Sequence, residues 1–327
     1  MKPVVLSMGD PAGIGPEILL RAFEQGALAG CVVIADAAVM RRAGSVMTAV
    51  ISSPDDLGLV PPGCLPLMVP PGLPEGLETL PWGVIDARNG AAAARCIEAA
   101  VQCLLQGQAS ALVTAPIHKE ALAAAGLPYP GHTEMLQALA APAGAAPPPV
   151  RMMLANPELR VVLVSIHLSL RKAIDAVTFD AVLQTLRIAD GAASGWGQRR
   201  PRIAVAGLNP HAGEGGQFGD EEIRIIAPAV AAARAEGLEV EGPFAPDTVF
   251  MRARRGEFDI VVAMTHDHGL IPVKYLGVEQ GVNVTLGLPF VRTSPDHGTA
   301  FDIAGQGVAD PSSLIAALQM ARRLAAR

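Results

Sequence analysis

The sequence contains few aromatic residues and few charges, and it has no long, uninterrupted apolar segment. Aromatic side chains make up 4% of the 327 residues, and charged side chains make up 17%. Because half of the residues are hydrophobic, the chain can bury a large core, which excludes an intrinsically disordered protein. The lack of an apolar run of about 18 residues predicts no membrane span. The first residues lack the features of a signal peptide, so a cytoplasmic location is expected.

Basic residues are also few relative to acidic ones. Lys and Arg together number 25 and Asp and Glu number 31, which gives a net charge of −6. This balance excludes the basic surface that nucleic-acid-binding proteins use. An anionic ligand must therefore be bound by a local cluster of donors. The predicted partner is a small molecule, not a nucleic acid or a membrane.

Cysteine is scarce as well. The four cysteines are Cys31, Cys64, Cys96 and Cys103, and no two of them form a CxxC pair. A disulfide framework is not expected at this chain length and spacing. Cys96 and Cys103 lie in an apolar segment of helical periodicity, which indicates core packing.

The pattern that is present alternates short β-branched segments with longer, Ala-rich helical segments. This alternation predicts an α/β fold with mostly parallel strands. Some strand candidates are apolar throughout, such as 260–264, so helices should cover both faces of the sheet. The chain length favours two domains. The segment 53–81 is rich in Pro and Gly and is expected to form an irregular excursion or a small hairpin.

Three histidines share one sequence context, because each follows an apolar strand candidate. His167 follows the strand near 161–166, His211 follows the strand near 203–208, and His266 follows the strand near 260–264. In open α/β sheets, ligands bind beyond the carboxyl ends of the strands. Three imidazoles at that edge could converge on one divalent cation and leave coordination positions open for substrate. Each histidine by itself is more often a solvated or hydrogen-bonded loop residue, but the threefold recurrence favours a shared site.

Further segments offer donors for an anion. His132 and Thr133 open a helix, where Thr133 could cap the helix and free amides could bind phosphate. Lys274, Asn283 and Arg292 lie around the last predicted strands, and Arg and Lys differ in how they bind phosphate or carboxylate. The glycine-rich turn that begins at Gly9 matches neither common nucleotide-binding fingerprint.

Six motifs together resemble the 4-hydroxythreonine-4-phosphate dehydrogenase family of pyridoxal-phosphate biosynthesis. They run in family order from the first strand to the last helix: GDPAGIGPE from Gly9, TAPIHKEAL from Thr114, GHTE from Gly131, GLNPHAGEGGQFGDEE from Gly207, GPFAPDTVF from Gly242 and GVNVTLGLPFVRTSPDHGTAFDIAG from Gly281. The resemblance implies a two-domain α/β/α fold of the isocitrate and isopropylmalate dehydrogenase type, with a cleft between the domains. The expected first domain combines residues 1–127 and 277–327, and residues 128–276 form the second.

The resemblance also implies an activity and its cofactors. NAD or NADP would oxidise the secondary alcohol of 4-phosphooxy-L-threonine, and the 3-keto acid would lose carbon dioxide to give 3-amino-2-oxopropyl phosphate. A divalent metal (zinc, magnesium or cobalt) would be bound by His167, His211 and His266. In the family the site is assembled at a homodimer interface.

Further site residues follow from the same resemblance. The substrate contacts would be His132, Thr133, Lys274, Asn283 and Arg292. The last motif is similar to the cofactor loop of the wider β-decarboxylating dehydrogenases, which implies a cofactor site at His297, Gly298, Ala300 and Asp302.

The implied chemistry depends on the cation and on a base. A divalent cation beside the substrate hydroxyl would lower its pKa and stabilise negative charge on that oxygen. Lys274, Asp247 and Asp267 are all candidates for the base, and the sequence does not rank them.

One departure from the family pattern bears on the substrate. The family usually has Gln two residues after the third metal ligand, whereas this chain has His268. His268 could alter substrate contacts, add a ligand or have no effect. A related dehydrogenase of erythronate or threonate phosphate therefore stays open, whereas an aromatic cis-dihydrodiol acid is disfavoured by the intact GHTE motif, Lys274, Asn283 and Arg292. Two other classes also stay open: a metal-dependent lyase or hydrolase without a nicotinamide, and a non-catalytic sugar-phosphate-binding protein. The last is disfavoured, because binding alone needs no metal site with open positions.

Overall fold

The computed structural model describes residues 2–142, 144–192, 200–277 and 279–326 of the chain. Within them the strands, in chain order, are β1 (Val4–Ser7), β2 (Cys31–Ile34), β3 (Thr48–Ile51), β4 (Leu65–Met68), β5 (Ala111–Thr114), β6 (Arg151–Ala155), β7 (Arg160–Leu163), β8 (Ile203–Ala206), β9 (Val240–Phe244), β10 (Ile260–Ala263), β11 (Val282–Leu286) and β12 (Val291–Pro295).

The α-helices alternate with these strands. They are α1 (Gly15–Glu24), α2 (Ala37–Ala43), α3 (Ala87–Leu105), α4 (Lys119–Ala124), α5 (His132–Ala140), α6 (Leu170–Asp175), α7 (Phe179–Ala192), α8 (Ala227–Ala235), α9 (Pro246–Arg254), α10 (His266–Tyr275) and α11 (Ser312–Ala325). Local signals fix several starts, since Asp36 and Asp86 accept hydrogen bonds from the first turns of α2 and α3. The predicted α/β class is confirmed.

The chain divides into two compact units. Unit 1 comprises Met1–Pro149 and Leu288–Ala325, and unit 2 contains Val150–Gly287. The predicted domains instead end at residues 127 and 276. The first division falls later in the structure because α5 packs against α3 and so belongs to unit 1.

Unit 1 contains a parallel sheet with the strand order β3-β4-β2-β1-β5-β12. The strands β1, β2 and β5 are buried along their whole length, as expected when both faces are covered. The segment 53–81 does not form a hairpin. It contains β4, which pairs in parallel with β2 and β3, and Pro66 within this strand masks the strand signal.

Unit 2 contains the strand order β11-β6-β7-β10-β8-β9. Within the order β7-β10-β8-β9 each neighbouring pair is parallel, whereas β6 is antiparallel to both β11 and β7. Its core includes Leu154, Val161, Val261, Leu270 and Val273, all at most 4% exposed. Parallel pairing matters for the site, because it brings the carboxyl ends of β7, β10 and β8 to one edge.

Two sequence expectations can be checked here directly. All four cysteines are free, as predicted. No helix within the described ranges is long and apolar enough to cross a membrane.

Candidate functional site

The three candidate metal ligands follow three neighbouring strands of unit 2, as the strand-end argument predicts. His167 lies four residues after the end of β7, His211 follows β8, and His266 is the first residue of α10 after β10. The strand β10 pairs in parallel with β7 on one side and with β8 on the other. The sheet register therefore places all three histidines beyond the same edge.

Two of the three rings lie close together. The ring centroids of His167 and His266 are 5.6 Å apart and their planes are tilted by 44°. The ring of His211 instead contacts Phe218 edge-on, with centroids 6.1 Å apart. Among the residues that the structure describes, no three His, Cys, Asp or Glu side chains already have the arrangement of a metal site.

The donor chemistry of these histidines nevertheless fits a divalent cation. Nδ1 of His266 lies 2.8 Å from a carboxylate oxygen of Asp267, and Nδ1 of His211 lies 2.9 Å from one of Glu214. A carboxylate at Nδ1 fixes the proton on that nitrogen and leaves the lone pair on Nε2, which is the usual arrangement of a metal-binding imidazole. Nε2 of His211 and of His266 is thereby prepared to bind a cation.

The backbone near two of these ligands is strained. His167 has φ of 45° and His211 has φ of 52°, and Ala212 and Glu214 are also left-handed. Residues other than Gly rarely adopt the left-handed backbone conformation, because it costs about 1–3 kcal/mol of conformational free energy per residue. Strain of this kind persists only where the surrounding structure imposes it, and it often accompanies a functional site.

The buried residue Glu222 holds the start of the His211 segment. Its Oε1 accepts hydrogen bonds of 2.7 Å from the backbone amides of Leu208 and Asn209. Its Oε2 accepts one of 2.9 Å from the Asn209 side chain. Burial opposes ionisation of Glu222, but these hydrogen bonds outweigh it and lower the pKa of the carboxyl. The carboxylate thus remains charged and fixes the turn that precedes His211.

A pocket of about 420 Å³ adjoins His211. Its lining residues are Leu208, Pro210, His211, Pro246, Asp247 and His268. Asp247 lies in the first turn of α9, so one candidate base shares a cavity with one candidate metal ligand. His268 also lines this pocket, so its side chain can contact a ligand that binds there.

The other residues of unit 2 predicted for the site are less constrained. Lys274 is exposed in the last turn of α10. The side chain of Asp267 is 81% exposed. Asn283 is half-buried on β11, opposite Leu154 of β6. The described geometry does not rank Lys274, Asp247 and Asp267 as bases.

Unit 1 contains a buried cation in its sheet. Arg292 lies on β12 and is 3% exposed. Its Nε and Nη2 donate hydrogen bonds of 3.2 and 2.6 Å to Oγ1 of Thr114, at the end of β5. Burial lowers the pKa of the guanidinium to about 10, so it is still charged at neutral pH. A planar guanidinium binds phosphate or carboxylate through paired N–H donors, which makes Arg292 a candidate for binding an anion.

His132 lies near this cation. Burial and the charge of Arg292 lower the pKa of His132 well below its usual value, so its ring is neutral. Its Nε2 is buried and has no hydrogen-bond partner within the described part of the chain. The expectation that Thr133 caps the helix is wrong, because α5 begins at His132 after Gly131 and Thr133 is already inside it.

The candidate cofactor loop, residues 297–305, also lies in unit 1. His297 contacts the carbonyl of Gly298 through Nδ1 at 3.0 Å. A side chain at Gly298 would meet no atom within 4 Å, so the backbone there faces open space. Ala300 has a left-handed φ of 43° and Asp302 is exposed. An accessible backbone with small residues fits the approach of a planar cofactor.

Sequence reasoning missed three residues of unit 1, which are Thr114, His118 and Phe301. Thr114 binds Arg292, as described above. His118, which precedes α4, stacks on Phe301 with ring centroids 4.7 Å apart and planes 15° apart. The available signal was the position of Thr114 at the end of β5 and of His118 in the loop that follows, where ligand sites of parallel sheets occur.

Comparison with known proteins places the chain in a family. The family model described as pyridoxal phosphate biosynthetic protein PdxA matches residues 27–321. A 4-hydroxythreonine-4-phosphate dehydrogenase of Beijerinckia indica is 53% identical over 98% of this chain and 95% of the relative. A D-threonate 4-phosphate dehydrogenase of Pectobacterium atrosepticum is 45% identical over 99% of each chain. The chain belongs to the PdxA family, which confirms the predicted resemblance.

Solved structures agree with this assignment. The crystal structure of a 4-hydroxythreonine-4-phosphate dehydrogenase from Klebsiella pneumoniae has a TM-score of 0.90 at 44% identity, covering 99% of this chain and 100% of that one. A terephthalate 1,2-cis-dihydrodiol dehydrogenase from Burkholderia xenovorans has a TM-score of 0.70 at 30% identity, covering 98% and 97%. The fold is thus shared with dehydrogenases named for different substrates, so the site must decide the substrate.

Proposed function

We propose that this chain is an NAD(P)- and divalent-metal-dependent dehydrogenase of 4-phosphooxy-L-threonine. It oxidises the secondary alcohol to the 3-keto acid, which loses carbon dioxide to give 3-amino-2-oxopropyl phosphate for pyridoxal 5'-phosphate biosynthesis. The observation that carries this proposal is the buried guanidinium of Arg292 in a chain whose PdxA-family relatives are named for a phosphorylated substrate. A phosphorylated amino acid is an anion that a guanidinium can bind.

The donors of unit 1 bind the anionic substrate. Arg292 offers a planar guanidinium, which suits phosphate or carboxylate. His132 remains neutral, so Nε2 forms a hydrogen bond without adding charge. Thr133 is the third proposed substrate contact of unit 1, and Lys274 and Asn283 are those proposed from unit 2.

His167, His211 and His266 would hold the cation through their ring nitrogens. When bound, the cation would acidify the substrate hydroxyl and the nicotinamide would accept hydride. Asp267 and Glu214 keep two of the imidazoles in the tautomer that presents Nε2. Zinc, magnesium and cobalt are all candidates for the natural metal.

A base must remove the hydroxyl proton. Asp247 is well placed for this role relative to His211, because both line the same pocket. Lys274 and Asp267 remain alternatives. We further propose a cofactor site at His297, Gly298, Ala300 and Asp302, and a homodimer whose interface completes the active site.

A substrate screen with metal-stripped and metal-restored enzyme tests the proposal. We expect reduced nicotinamide to form only with metal, a phosphorylated hydroxy acid and NAD or NADP. Turnover of substrate without any reduced nicotinamide would instead support a lyase or hydrolase that uses the same histidines.

A second substrate deserves the same screen. The relative named D-threonate 4-phosphate dehydrogenase covers 99% of this chain, and threonate carries a hydroxyl where hydroxythreonine carries an amine. Erythronate phosphate belongs in the same series. His268 and Asp247 in the pocket wall are candidates for sensing this difference. A larger kcat/KM for the threonate phosphate would assign the chain to that activity.

A further inference from the structure

The 297–305 loop of unit 1 contacts the rest of that unit along its length, and three of these contacts bear on its conformation. Near its start, the carbonyl of Thr299 accepts a hydrogen bond of 3.0 Å from the amide of Ile14. At its end, Gly305 lies so close to Trp82 that any side chain at Gly305 would overlap the indole ring. Between these points, Phe301 stacks on His118. The stack is thus the point where a ring of another segment fixes a side chain of the loop.

The first and last points depend on backbone and glycine, whereas the middle point depends on two aromatic side chains. Both rings of the stack are half-buried. A centroid separation of 4.7 Å with nearly parallel planes is the geometry of an attractive aromatic contact. Phe301 lies between Ala300 and Asp302, so its ring position controls the backbone of the residues that we propose for cofactor binding.

The imidazole of His118 reduces the stability of the fold at this position. Its Nδ1 is buried and has no hydrogen-bond partner in the described part of the chain. Asp10 lies close enough to interact with the imidazole electrostatically, and its Oδ2 is likewise buried and unpartnered within the described residues. Buried polar atoms without partners destabilise a fold. A ring without nitrogen would therefore pack here with less penalty.

The segment that carries His118 also reaches the anion site of unit 1. It begins at Thr114, which binds Arg292, and the carbonyl of Pro116 accepts a hydrogen bond of 2.9 Å from the amide of Asp10. Gly9 adopts φ of 75° and approaches Pro116 and Ala115 too closely for a side chain. The segment is therefore held rigidly, which makes it a firm support for a loop.

We propose that His118 is a positioning residue for the nicotinamide cofactor: the face of its ring holds Phe301 and thereby keeps the 297–305 loop in its binding conformation. This inference rests on the proposed dehydrogenase function. In this role the face of the His118 ring matters and its nitrogen atoms do not. His118 contacts the loop and not the reacting atoms.

Equilibrium binding of NAD and NADP to the full-length metal-loaded protein tests the proposal, with substrate KM and Tm measured in parallel. We expect His118→Ala to weaken binding of the preferred nucleotide about tenfold, the size of one lost aromatic contact and the disorder it permits. KM for the phosphorylated substrate should change less than about twofold. His118→Phe should restore nucleotide affinity to within about twofold of wild type, with a Tm no lower than that of wild type.

A double-mutant cycle supplies the second measurement. If His118 acts through Phe301, then Phe301→Ala and the double variant should weaken nucleotide binding no more than His118→Ala does. Phe179→Ala, which changes a phenylalanine that is 38% exposed at the start of α7 in unit 2, is the matched control and should bind like wild type.

Three results would overturn the proposal. Unchanged nucleotide affinity in folded His118→Ala would show that the stack does not position the loop. Equal weakening in His118→Phe and His118→Ala would show that the nitrogen atoms matter instead. Wild-type protein that binds neither nucleotide would remove the proposed function itself, and the inference with it, whereas the first two results leave that function intact.

Discussion

The side chain of Arg292 in unit 1 is almost inaccessible at 3% exposure, whereas that of His211 in unit 2 is 64% exposed. Arg292 is fixed by Thr114 on a neighbouring strand, 178 residues away in the chain. His211 and His266 are held by Glu214 and Asp267, which lie three residues and one residue away. The site that we propose for an anion in unit 1 is therefore built by sheet packing, and the histidine site that we propose for a metal in unit 2 is built by local contacts.

The difference between sheet packing and local contacts indicates which of the two proposed sites is already formed before a ligand binds. A donor within a sheet keeps its position because the core around it cannot rearrange cheaply. A histidine on a strained loop keeps its tautomer through its carboxylate, but its ring can still move. We therefore expect ligands to change the histidine site more than the anion site. The following substitutions test that contrast.

The largest expected effect is that of His211→Ala. Activity should fall about 1,000-fold, in line with the loss of a ligand essential to metal catalysis, whereas Tm should stay close to wild type because the side chain is exposed. Metal-dependent turnover and thermal unfolding are the two measurements. Gln217→Ala, an exposed position of the same loop, is the control. Full activity in His211→Ala would remove this residue from the ligand set.

Arg292→Lys tests the buried site. Lysine keeps the charge but loses the planar, bidentate geometry, so kcat/KM for the phosphorylated substrate should fall about 200-fold, within the range for disrupting a buried charge pair. The control is Arg323→Lys, an exposed position on α11. A variant with wild-type kcat/KM would show that the buried guanidinium is structural.

Asp10 provides a pH-dependent test of unit 1. Burial raises the pKa of this carboxyl from 3.8 to about 6, so the folded state holds the proton more tightly than the unfolded state does. Its stabilising contribution is present below pH 3.8 and is lost as the pH rises through 6. Asp10→Asn stays neutral at every pH. Relative to wild type, it should gain up to about 3 kcal/mol, roughly 150-fold in the folding constant, between pH 4 and 7.

Denaturant unfolding across this pH range measures the gain. Asp55→Asn, which changes an exposed carboxyl in the same unit, should show no such trend. A constant difference between Asp10→Asn and wild type would mean that Asp10 ionises normally in the folded state.

Glu214→Gln tests the local support of the histidine site. Without the carboxylate, Nδ1 of His211 loses its charged partner, and metal affinity should fall about tenfold. Metal titration of the apoprotein measures this directly. Glu257→Gln, which removes a surface partner of Arg252 in the same unit, is the control. Unchanged affinity would show that Glu214 does not orient the ligand.

The smallest expected effect is that of His268→Gln. One hydrogen bond in an open pocket is worth about 0.5–1.5 kcal/mol, so the kcat/KM ratio for hydroxythreonine phosphate over threonate phosphate should change about threefold. Ile271→Gln, an exposed position of the same helix that does not line the pocket, controls for changes in α10. An unaltered ratio would remove His268 from substrate selection.

Sequence reasoning predicted strands that consist of apolar residues, and it missed strands that contain polar residues, Gly or Pro. The strands β7, β8 and β10 were evident because nearly all of their residues are apolar and buried. The strand β12 was missed because it carries Arg292, Thr293 and Ser294, which are polar and buried. The strand β9 was missed because Gly242 and Pro243 interrupt it. The positions of the three histidines were predictable, because the end of an apolar strand can be recognised in the sequence. The stack of His118 on Phe301 was not predictable.

The order of amino acids alone determined the α/β class, the family and the strand-end placement of the histidines, because hydrophobic periodicity and contiguous motifs are local properties. Only the tertiary structure decided that Arg292 is buried against Thr114, that Asp10 is enclosed and that Phe301 meets His118. These contacts join residues more than 100 positions apart. Their energies depend on desolvation and ring geometry, which exist only once the chain has packed.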